Sequence, residues 1–457
     1  MIDSTQDNLF FRNKYPEFCF DSYEIKYEPE AIKVIYTYTL GEHTFKPTVH
    51  ISTTDISNQD FDVKFLDYLF FNFGVINAIN YYKLTISPKF IIRAGYLNDE
   101  QKLFFKKLFF NGLGEFLYVN NLQFTQDNLL EIETISAEDA KPRDFSVGEG
   151  YKGNLIPVGG GKDSVVTLEA LQPMHPDNLC FQYNRDIYPE NRAALDCIKN
   201  AGYRADDIMD FDLTLDPKML DLNREGYYNG HIPFSSCLAF AAYIMAYLNK
   251  KAYIIVSNEA SANEGNIAGT QINHQYSKSF EFENDFQHYA DQYFTSQIRY
   301  FSLLRCLNEF QIVQKFIRKP IYLNIFRSCN VGTHENKWCG HCAKCLYVFI
   351  MLYPFISIDK LTKIFGGNLF ADATLGNTLA GLVNPDTTKP FECVGTREEV
   401  NYCMKLAVEQ TPENEQPVLL KWYRENLYNP NAVYNVENYY NPEHHIPEEY
   451  LQLILNS

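Results

Sequence analysis

The chain has 457 residues, of which 46% are hydrophobic and 15% are aromatic, so it can build cores and is not expected to be disordered. Its formal net charge of −17 excludes a general long-range attraction to nucleic acid, and we expect no nucleic-acid partner. The length suits two or three domains at about 100–200 residues each.

Neither membrane insertion nor secretion is indicated. The longest apolar runs, residues 237–248 and 345–358, are shorter than the roughly 18–20 residues that a membrane-spanning helix needs. The polar, acidic start of the chain does not fit a secretory signal. Eleven cysteines, four of them in one short cluster, suit a reduced compartment with one metal site better than a disulfide framework. We therefore expect a cytoplasmic protein with no membrane partner.

Residues 1–148 are predicted to form a separate α+β module. Polar and apolar residues alternate at 23–28, 32–39 and 45–51, which predicts an antiparallel meander with one face in water. Helical spacing follows at 61–82 and 99–111. The module has no catalytic spacing, so we expect it to recognise substrate or to serve as a scaffold. A polar, proline-broken stretch at 133–152 is typical of a linker.

A glycine-rich segment follows the apolar run at 154–158 and precedes a helix-like stretch at 165–171. It consists of Gly159, Gly160, Gly161, Lys162, Asp163 and Ser164. Glycines let the backbone approach a ligand closely, and the first amides of a helix are unpaired, so this order predicts a phosphate cradle. Asp163 is a candidate Mg²⁺ ligand, and Ser164 a candidate donor to phosphate. A plain glycine turn without a ligand is the alternative.

The predicted phosphate loop opens a second unit, residues 149–357, in which strands and helices alternate. Strand patterns at 179–183, 208–211 and 252–257 are separated by helix patterns at 190–201 and 234–250. This alternation predicts an α/β fold with a doubly wound parallel sheet. Ligands of such sheets bind beyond the carboxyl ends of the strands, so Asn184 and Arg185 are expected to contact the nucleotide.

Two dense polar stretches follow the strand at 252–257. The first holds Glu259 and Glu264, which are candidates for ordering Mg²⁺ or for acting as a base. The second holds His274, a candidate acid or base, and Lys278, a candidate ligand of phosphate or carboxylate. A solvated loop and a polar turn explain these stretches without function. The amides expected to bind a polar substrate are Asn258, Asn263, Asn266 and Asn273.

A cysteine cluster closes the second unit. Four thiolates are the ligand set of a tetrahedral structural Zn²⁺, and packed thiols without metal are the alternative. His334 and His341 are possible replacement ligands. The four cysteines are Cys329, Cys339, Cys342 and Cys345. Residues 358–457 are predicted to be a helical region without a catalytic pattern, with helices at 359–365, 372–382, 397–409 and 418–425.

The glycine-rich segment resembles the S-G-G-x-D-S loop of the PP-loop ATP pyrophosphatases, which have an adenine nucleotide α-hydrolase-like fold and split ATP into AMP and pyrophosphate. Gly160, Gly161, Asp163 and Ser164 match, while Gly159 stands where that family usually has serine. The missing serine removes one hydroxyl and puts catalysis, as opposed to binding, in doubt.

Together with the two polar stretches and the cysteine cluster, the loop resembles the UDP-N-acetylmuramoyl-L-alanyl-L-glutamate epimerases, PP-loop enzymes of bacterial peptidoglycan synthesis. The resemblance covers residues 153–355. The cysteine cluster is also similar to that of the shorter 7-cyano-7-deazaguanine synthases, which hold zinc.

The resemblance implies that ATP adenylates the α-carboxylate of the terminal L-Glu of a UDP-muramoyl dipeptide. The α-proton then becomes acidic, is moved to the other face, and water releases D-Glu and AMP. The glycines at 159–161 and Ser164 would hold the phosphates, Asp163 would bind Mg²⁺ and Lys162 would steady developing charge. The proton shuttle is left open among Glu259, Glu264, His274 and Lys278. An adenylating enzyme of nucleobase modification and a nucleotide-binding module without turnover remain as alternatives.

Overall fold

The computed structural model describes residues 9–53, 61–135, 147–184, 192–267, 269–332 and 335–457. In these ranges the strands are β1 Glu17–Glu28, β2 Ala31–Leu40, β3 His43–Phe45, β4 Thr48–Ser52, β5 Lys89–Ile92, β6 Glu131–Thr134, β7 Asn154–Pro157, β8 Asn178–Tyr183, β9 Ile208–Thr214, β10 Tyr253–Val256 and β11 Arg299–Ser302.

The helices of the same ranges are α1 Phe10–Lys14, α2 Val63–Asn77, α3 Ile79–Tyr82, α4 Asp99–Gly112, α5 Gly114–Val119, α6 Gln126–Leu129, α7 Lys162–Leu171, α8 Ala193–Asn200, α9 Lys218–Arg224, α10 Phe234–Leu248, α11 Phe280–Tyr293, α12 Glu309–Ile317, α13 Ala343–Leu352, α14 Ile358–Phe365, α15 Gly376–Val383, α16 Arg397–Gln410, α17 Val418–Asn426 and α18 Glu448–Asn456. None of them is both long and apolar enough to cross a membrane.

One mixed sheet of eleven strands runs through the molecule, in the order β11-β10-β7-β8-β9-β4-β2-β1-β5-β6, with β3 beside β2. Strands β11 to β9 in this order are all parallel. The antiparallel pair of β4 and β9, in which Val49 lies opposite Leu213, joins the N-terminal strands to the parallel set. The predicted α/β sheet is therefore confirmed as a large, mostly parallel sheet, and it extends into the predicted N-terminal module.

The chain winds in both directions away from β7. Strands β8 and β9 lie on one side of it, and β10 and β11 lie on the other. Alternate residues of β7 enter two different cores. Leu155 belongs to the core that includes α10, and Ile156 belongs to the core that includes α7. The switch point between β7 and β10 is where such sheets bind ligands, beyond the carboxyl ends of the strands.

Most elements predicted from periodicity are present, with differences at their ends. The N-terminal meander is confirmed as β1, β2 and β4. The predicted strand at 45–51 is divided into β3 and β4 around Pro47, which has no N–H to donate to a neighbouring strand. The periodicity did not indicate β5, β6 or β11, each of which has four residues. The division at residues 148/149 and 357/358 stays a prediction.

Candidate active site

The predicted phosphate loop lies between β7 and α7, at the switch point of the sheet. Gly160 has φ +82°, and a Cβ atom there would lie 2.6 Å from the backbone nitrogen of Ala194, so a side chain cannot fit. A Cβ at Gly159 would meet nothing within 4 Å. The N–H of Gly159 donates to the hydroxyl of Ser164 at 3.1 Å, and no side chain caps the start of α7. The loop thus presents open space and uncapped helix amides, as an anion site requires.

Four residues beside the loop form what we call the phosphate-loop cluster: Lys162, Asp163, Glu259 and Glu309. The ammonium of Lys162 lies 2.5 Å from Oδ1 of Asp163 and also contacts the carboxylate of Glu309. Oxygen atoms of the three carboxylates all lie within 4.8 Å of one another. Lys162 and Glu309 are each 1% exposed, and Glu259 is 5% exposed. Carboxylate oxygens that converge in this way are a suitable donor set for Mg²⁺.

The charges in the phosphate-loop cluster depend on one another. Burial alone would lower the pKa of Lys162, but Asp163 and Glu309 raise that pKa above its ordinary value. Burial alone would raise the pKa of Asp163, and Lys162 and Lys344 keep it below its ordinary value. Burial raises the pKa of Glu309 to about 7. At neutral pH the cluster therefore has a cationic lysine and an ionised aspartate, and Glu309 keeps a proton more readily than an ordinary glutamate does.

Glu309 was not predicted from the sequence. It is the first residue of α12, which begins shortly after the parallel strand β11. Its position close to the carboxyl end of a parallel strand is a signal that could have found it, but the sequence prediction lacked β11. Only the folded sheet brings Glu309 to Lys162, 147 positions earlier in the chain.

Arg305 holds the two predicted polar stretches together. Its guanidinium is fully buried and donates to the backbone oxygens of Glu259 at 2.7 Å and Lys278 at 2.6 Å. It also pairs with the buried carboxylate of Glu283 at 3.1 Å. The other predicted carboxylate, Glu264, lies apart from the cluster and pairs with Lys389 at 2.5 Å. Of the two candidate glutamates, only Glu259 faces the phosphate loop.

The amides predicted to bind ligands already have protein partners. Each of the four predicted substrate-binding asparagines makes a hydrogen bond of 2.8–3.1 Å to another part of the chain. These residues are Asn258, Asn263, Asn266 and Asn273. Asn184 has φ 63° and accepts from the N–H of Leu213 at 2.7 Å. These contacts fix the loops, and a role in ligand binding stays a prediction. Arg185 lies outside the described residues.

A second group, which we call the thiol cluster, consists of Glu115, His274, Lys278 and Cys393. The imidazole Nδ1 of His274 donates to the carboxylate of Glu115. The ring of His274 also hydrogen-bonds Cys393, and the ammonium of Lys278 lies 3.2 Å from its sulfur. His231 lies against His274, with ring centroids 4.2 Å apart. The cluster thus combines a thiol, an imidazole, an ammonium and a carboxylate.

Charges in the thiol cluster favour a thiolate on Cys393 and a cation on His274. Burial works against ionisation of Cys393, but Lys278, His274 and Lys344 lower its pKa to about 5. Burial works against the cation of His274, but Cys393 and Glu115 raise its pKa to about 9. Lys278 has a raised pKa in spite of its burial, because Cys393 and Glu259 face it. At neutral pH the cluster holds a thiolate between two cations.

Glu115 and Cys393 were not predicted, and they come from parts of the chain for which no catalytic pattern was found. Glu115 is in the short helix α5 of the predicted N-terminal module. Cys393 lies between α15 and α16, in the predicted C-terminal region. Its segment is fixed to the polar stretches, because Asn266 donates to the oxygen of Pro390 at 2.8 Å and Gln275 donates to that of Val394 at 3.3 Å.

The sulfur atoms of the four predicted zinc ligands lie close together, and all four cysteines are present as thiols. Their sulfur atoms are 3.5–3.9 Å apart in the contacts that join Cys329 to Cys342, Cys339 to Cys345 and Cys342 to Cys345. Thiolates on a tetrahedral Zn²⁺ at about 2.3 Å are about 3.8 Å from one another, so these spacings fit. His341 is exposed, and its ring nitrogen lies 2.9 Å from the oxygen of Cys339. His334 lies outside the described residues.

The segment that leads into the cysteine cluster, which we call the cysteine loop, contacts the predicted phosphate loop. The N–H of Arg327 donates to the oxygen of Gly160 at 2.9 Å, and Ser328 lies against Gly161. Both residues directly precede Cys329, so a metal held by the cysteines would stiffen the backbone next to the glycines.

A cavity of about 770 Å³ opens between α4, α5 and the loop before His274. Its lining includes Gly114, Tyr118, Gln271 and Ile272, which are close in the chain to Glu115 and His274. Amide side chains stand among the apolar side chains of the lining, as is common in small-molecule sites.

Comparison with protein families matches residues 10–303 to the MurL N-terminal domain and residues 325–434 to the MurL C-terminal domain. Three curated relatives are each named UDP-N-acetyl-alpha-D-muramoyl-L-alanyl-L-glutamate epimerase. The relative from Micromonospora sp. is 31% identical over 96% of this chain and 97% of its own length. That from Salinispora tropica is 32% identical over 88% and 87%, and that from Xanthomonas oryzae pv. oryzae is 31% identical over 77% of each chain.

Proposed function

The chain belongs to the MurL family, and from this membership we infer that it epimerises the terminal L-Glu of UDP-MurNAc-L-Ala-L-Glu to D-Glu in peptidoglycan precursor synthesis. The observation that carries this inference is the match over almost the full length of the relative from Micromonospora sp.. The substrate is accordingly a small nucleotide-sugar peptide. The cytoplasmic location expected from the sequence stays a prediction.

We propose further that ATP drives the reaction. An α-carboxylate oxygen of the terminal glutamate attacks the α-phosphorus of ATP, and the bond to the leaving pyrophosphate breaks. The resulting acyl-adenylate lacks the negative charge of the carboxylate, so the α-proton becomes acidic enough to be moved. Water then cleaves the acyl–phosphate bond and releases AMP with the D-Glu carboxylate.

The phosphate loop supports this proposal by its shape and its charges. Its open glycine backbone and uncapped helix amides suit the phosphates of ATP. Lys162 is held as a cation by Asp163 and Glu309, and can steady the negative charge that develops on the leaving pyrophosphate. The absent serine at position 159 leaves the backbone N–H groups of the loop in place.

We propose that Asp163, together with Glu259 and Glu309, holds Mg²⁺ when ATP binds. The convergence of three carboxylates supports this assignment. A bound Mg²⁺ would neutralise phosphate charge and orient the leaving pyrophosphate.

We propose that the four cysteines hold a structural Zn²⁺, which the sulfur spacings support. Its contribution would be to stiffen the loop that contacts Gly160 through Arg327.

We also propose that the cavity beside α5 receives the UDP-muramoyl part of the substrate, because its residues adjoin Glu115 and His274. Gln271 is exposed on its wall, so Gln271→Trp narrows the cavity without disturbing a core. We expect KM for the muramoyl dipeptide to rise about threefold or more while KM for ATP stays unchanged. Unchanged KM values for both would remove the cavity from the substrate path.

The test of the function is direct. The protein is incubated with ATP, Mg²⁺ and UDP-MurNAc-L-Ala-L-Glu, and AMP, pyrophosphate and acid-released D-Glu are measured. We expect AMP and D-Glu to appear together and neither to form without the dipeptide. D-Glu without AMP would overturn the ATP-driven step, and no D-Glu under any condition would overturn the epimerase.

A further inference from the structure

We propose that Cys393 is a proton-transferring catalytic residue, whose thiolate works at the α-carbon of the terminal glutamate. This inference rests on the proposed function, since it names one of the groups that move the α-proton. Cys393 adds a residue to the four that the sequence left open for this task.

The position of Cys393 supports the assignment. Its sulfur lies 3.2 Å from the ammonium of Lys278, whose charge is also felt by Asp163 in the phosphate-loop cluster. Lys344 hydrogen-bonds the backbone oxygen of Cys393 and also acts on Asp163. The thiol is thus beside the cations that face the site of adenylation. Cys393 is partly exposed, unlike Cys306 or Cys403, which are fully buried.

The charge states of the other candidates leave Cys393 as the acceptor. Lys278 and His274 both have raised pKa values, so at neutral pH each already carries the proton that a base must accept. Glu264 is paired with Lys389, away from the phosphate loop. Glu259 faces Asp163 and Glu309 and belongs to the proposed metal site. Within the thiol cluster, Cys393 is the anion that can accept a proton, and the hydrogen-bond donors Lys278 and His274 lie next to it.

The thiolate takes the α-proton, so an S–H bond forms while the C–H bond breaks, and its electron pair moves into the acyl carbonyl. A second acid, from water or a carboxylic acid, gives a proton to the opposite face. In the reverse direction the thiol donates its proton. The adjacent cations Lys278 and His274 stabilise the thiolate, and Glu115 keeps His274 charged. Lys344, His231 and Glu392 are further titratable groups close by.

The first experiment separates adenylation from proton transfer. Wild type, Cys393→Ala, Cys393→Ser and the control Cys19→Ser are incubated in D₂O with the L-Glu substrate. Pyrophosphate exchange into ATP measures adenylation, and D-Glu and α-deuterium measure proton transfer. Cys19 is a buried cysteine of β1, far from both clusters in the chain, so its variant should behave as wild type.

We expect both Cys393 variants to keep pyrophosphate exchange but to lose D-Glu formation by about 100-fold or more. Deuterium exchange into the L-substrate should be lost as well, because the thiolate is the group that takes the α-proton, and retained deuterium exchange would overturn that role. D-Glu formation within about threefold of wild type in Cys393→Ala would overturn the inference. An equal loss of pyrophosphate exchange and of D-Glu formation in both variants would overturn it as well. If wild type shows no pyrophosphate exchange, the ATP-driven step is wrong. The role of Cys393 is then tested by D-Glu formation and deuterium incorporation alone.

The second experiment measures the thiolate without any turnover. Wild type is alkylated with iodoacetamide across the pH range, and the peptide that contains Cys393 is followed by mass spectrometry. We expect a rate midpoint near pH 5. Lys278→Gln should move the midpoint upward by about one pH unit or more, because a neighbouring cation is removed. A midpoint near 9 in wild type would contradict the thiolate.

Discussion

The phosphate-loop cluster and the thiol cluster are built in opposite ways. In the first, three carboxylates converge beside one buried lysine, which pairs with two of them. Two of the four residues of this cluster are consecutive in the chain. In the second, a thiol lies between two cations, and its four residues come from three distant segments. An excess of carboxylates around one cation suits a metal and phosphates. A thiolate and an imidazolium suit the movement of a proton. The reaction we propose needs one site of each kind.

The two clusters are close enough to influence each other. Lys278 and Lys344 each lower the pKa of both Cys393 and Asp163. Variants that separate the two half-reactions therefore test whether this electrostatic contact is also a functional dependence.

The largest effect is expected for Asp163→Asn. Loss of the carboxylate removes a metal ligand and a partner of Lys162, so pyrophosphate exchange and D-Glu formation should both fall about 100-fold or more. The amide has nearly the same shape, so the circular dichroism spectrum should not change. Asp206→Asn, at an exposed position, is the control. Retained turnover in Asp163→Asn would remove this residue from the metal site.

The next effect concerns the support of the phosphate loop. Cys342→Ser replaces one of four thiolates, and we expect zinc to fall from about one per chain to near zero. Because the cysteine loop contacts Gly160, pyrophosphate exchange should decline, and the melting temperature should fall with it. Elemental analysis and a thermal melt measure the two. A wild-type protein without zinc would leave only packed thiols.

The pH dependence of D-Glu formation tests the charges of the thiol cluster. The pKa of Cys393 is lowered to about 5, so its thiolate is lost as the pH falls through that value. The pKa of His274 is raised to about 9, so its cation is lost as the pH rises through that value. D-Glu formation should therefore fall about tenfold per pH unit beyond the acid limit. A rate that rises steadily to pH 9 would point to an ordinary thiol.

A smaller effect is expected for Glu115→Gln. The amide keeps a hydrogen-bond acceptor for His274 but removes the charge that raises its pKa, so the alkaline limit should move below 9. We expect D-Glu formation at neutral pH to fall about tenfold or less, with pyrophosphate exchange unchanged. Glu30→Gln, on the surface of the same predicted module, is the matched control. An unshifted pH profile would show that Glu115 has no part in proton transfer.

The sequence was most informative where the candidate functional residues are close together in the chain. The glycine segment and the cysteine cluster were found because their chemistry depends on spacing over a few positions. The structure places the glycines directly before α7 and brings the four sulfur atoms together. The polar stretches were found for the same reason, but the roles within them could not be ranked. Arg305 and Lys389 decide which glutamate faces the loop, and neither stands out in the sequence.

By itself, the sequence determined the parallel sheet, the place of the glycine-rich segment between a strand and a helix, and the family, because local periodicity and short motifs carry that information. The tertiary structure alone decided which charged groups share one environment. Glu309 reaches Lys162, and Glu115 and Cys393 reach His274, across long stretches of chain that the sheet and its helices bring together. Burial next to a particular partner sets a pKa, and burial is a property of the folded molecule, so a single cysteine or glutamate in the sequence carries no sign of it.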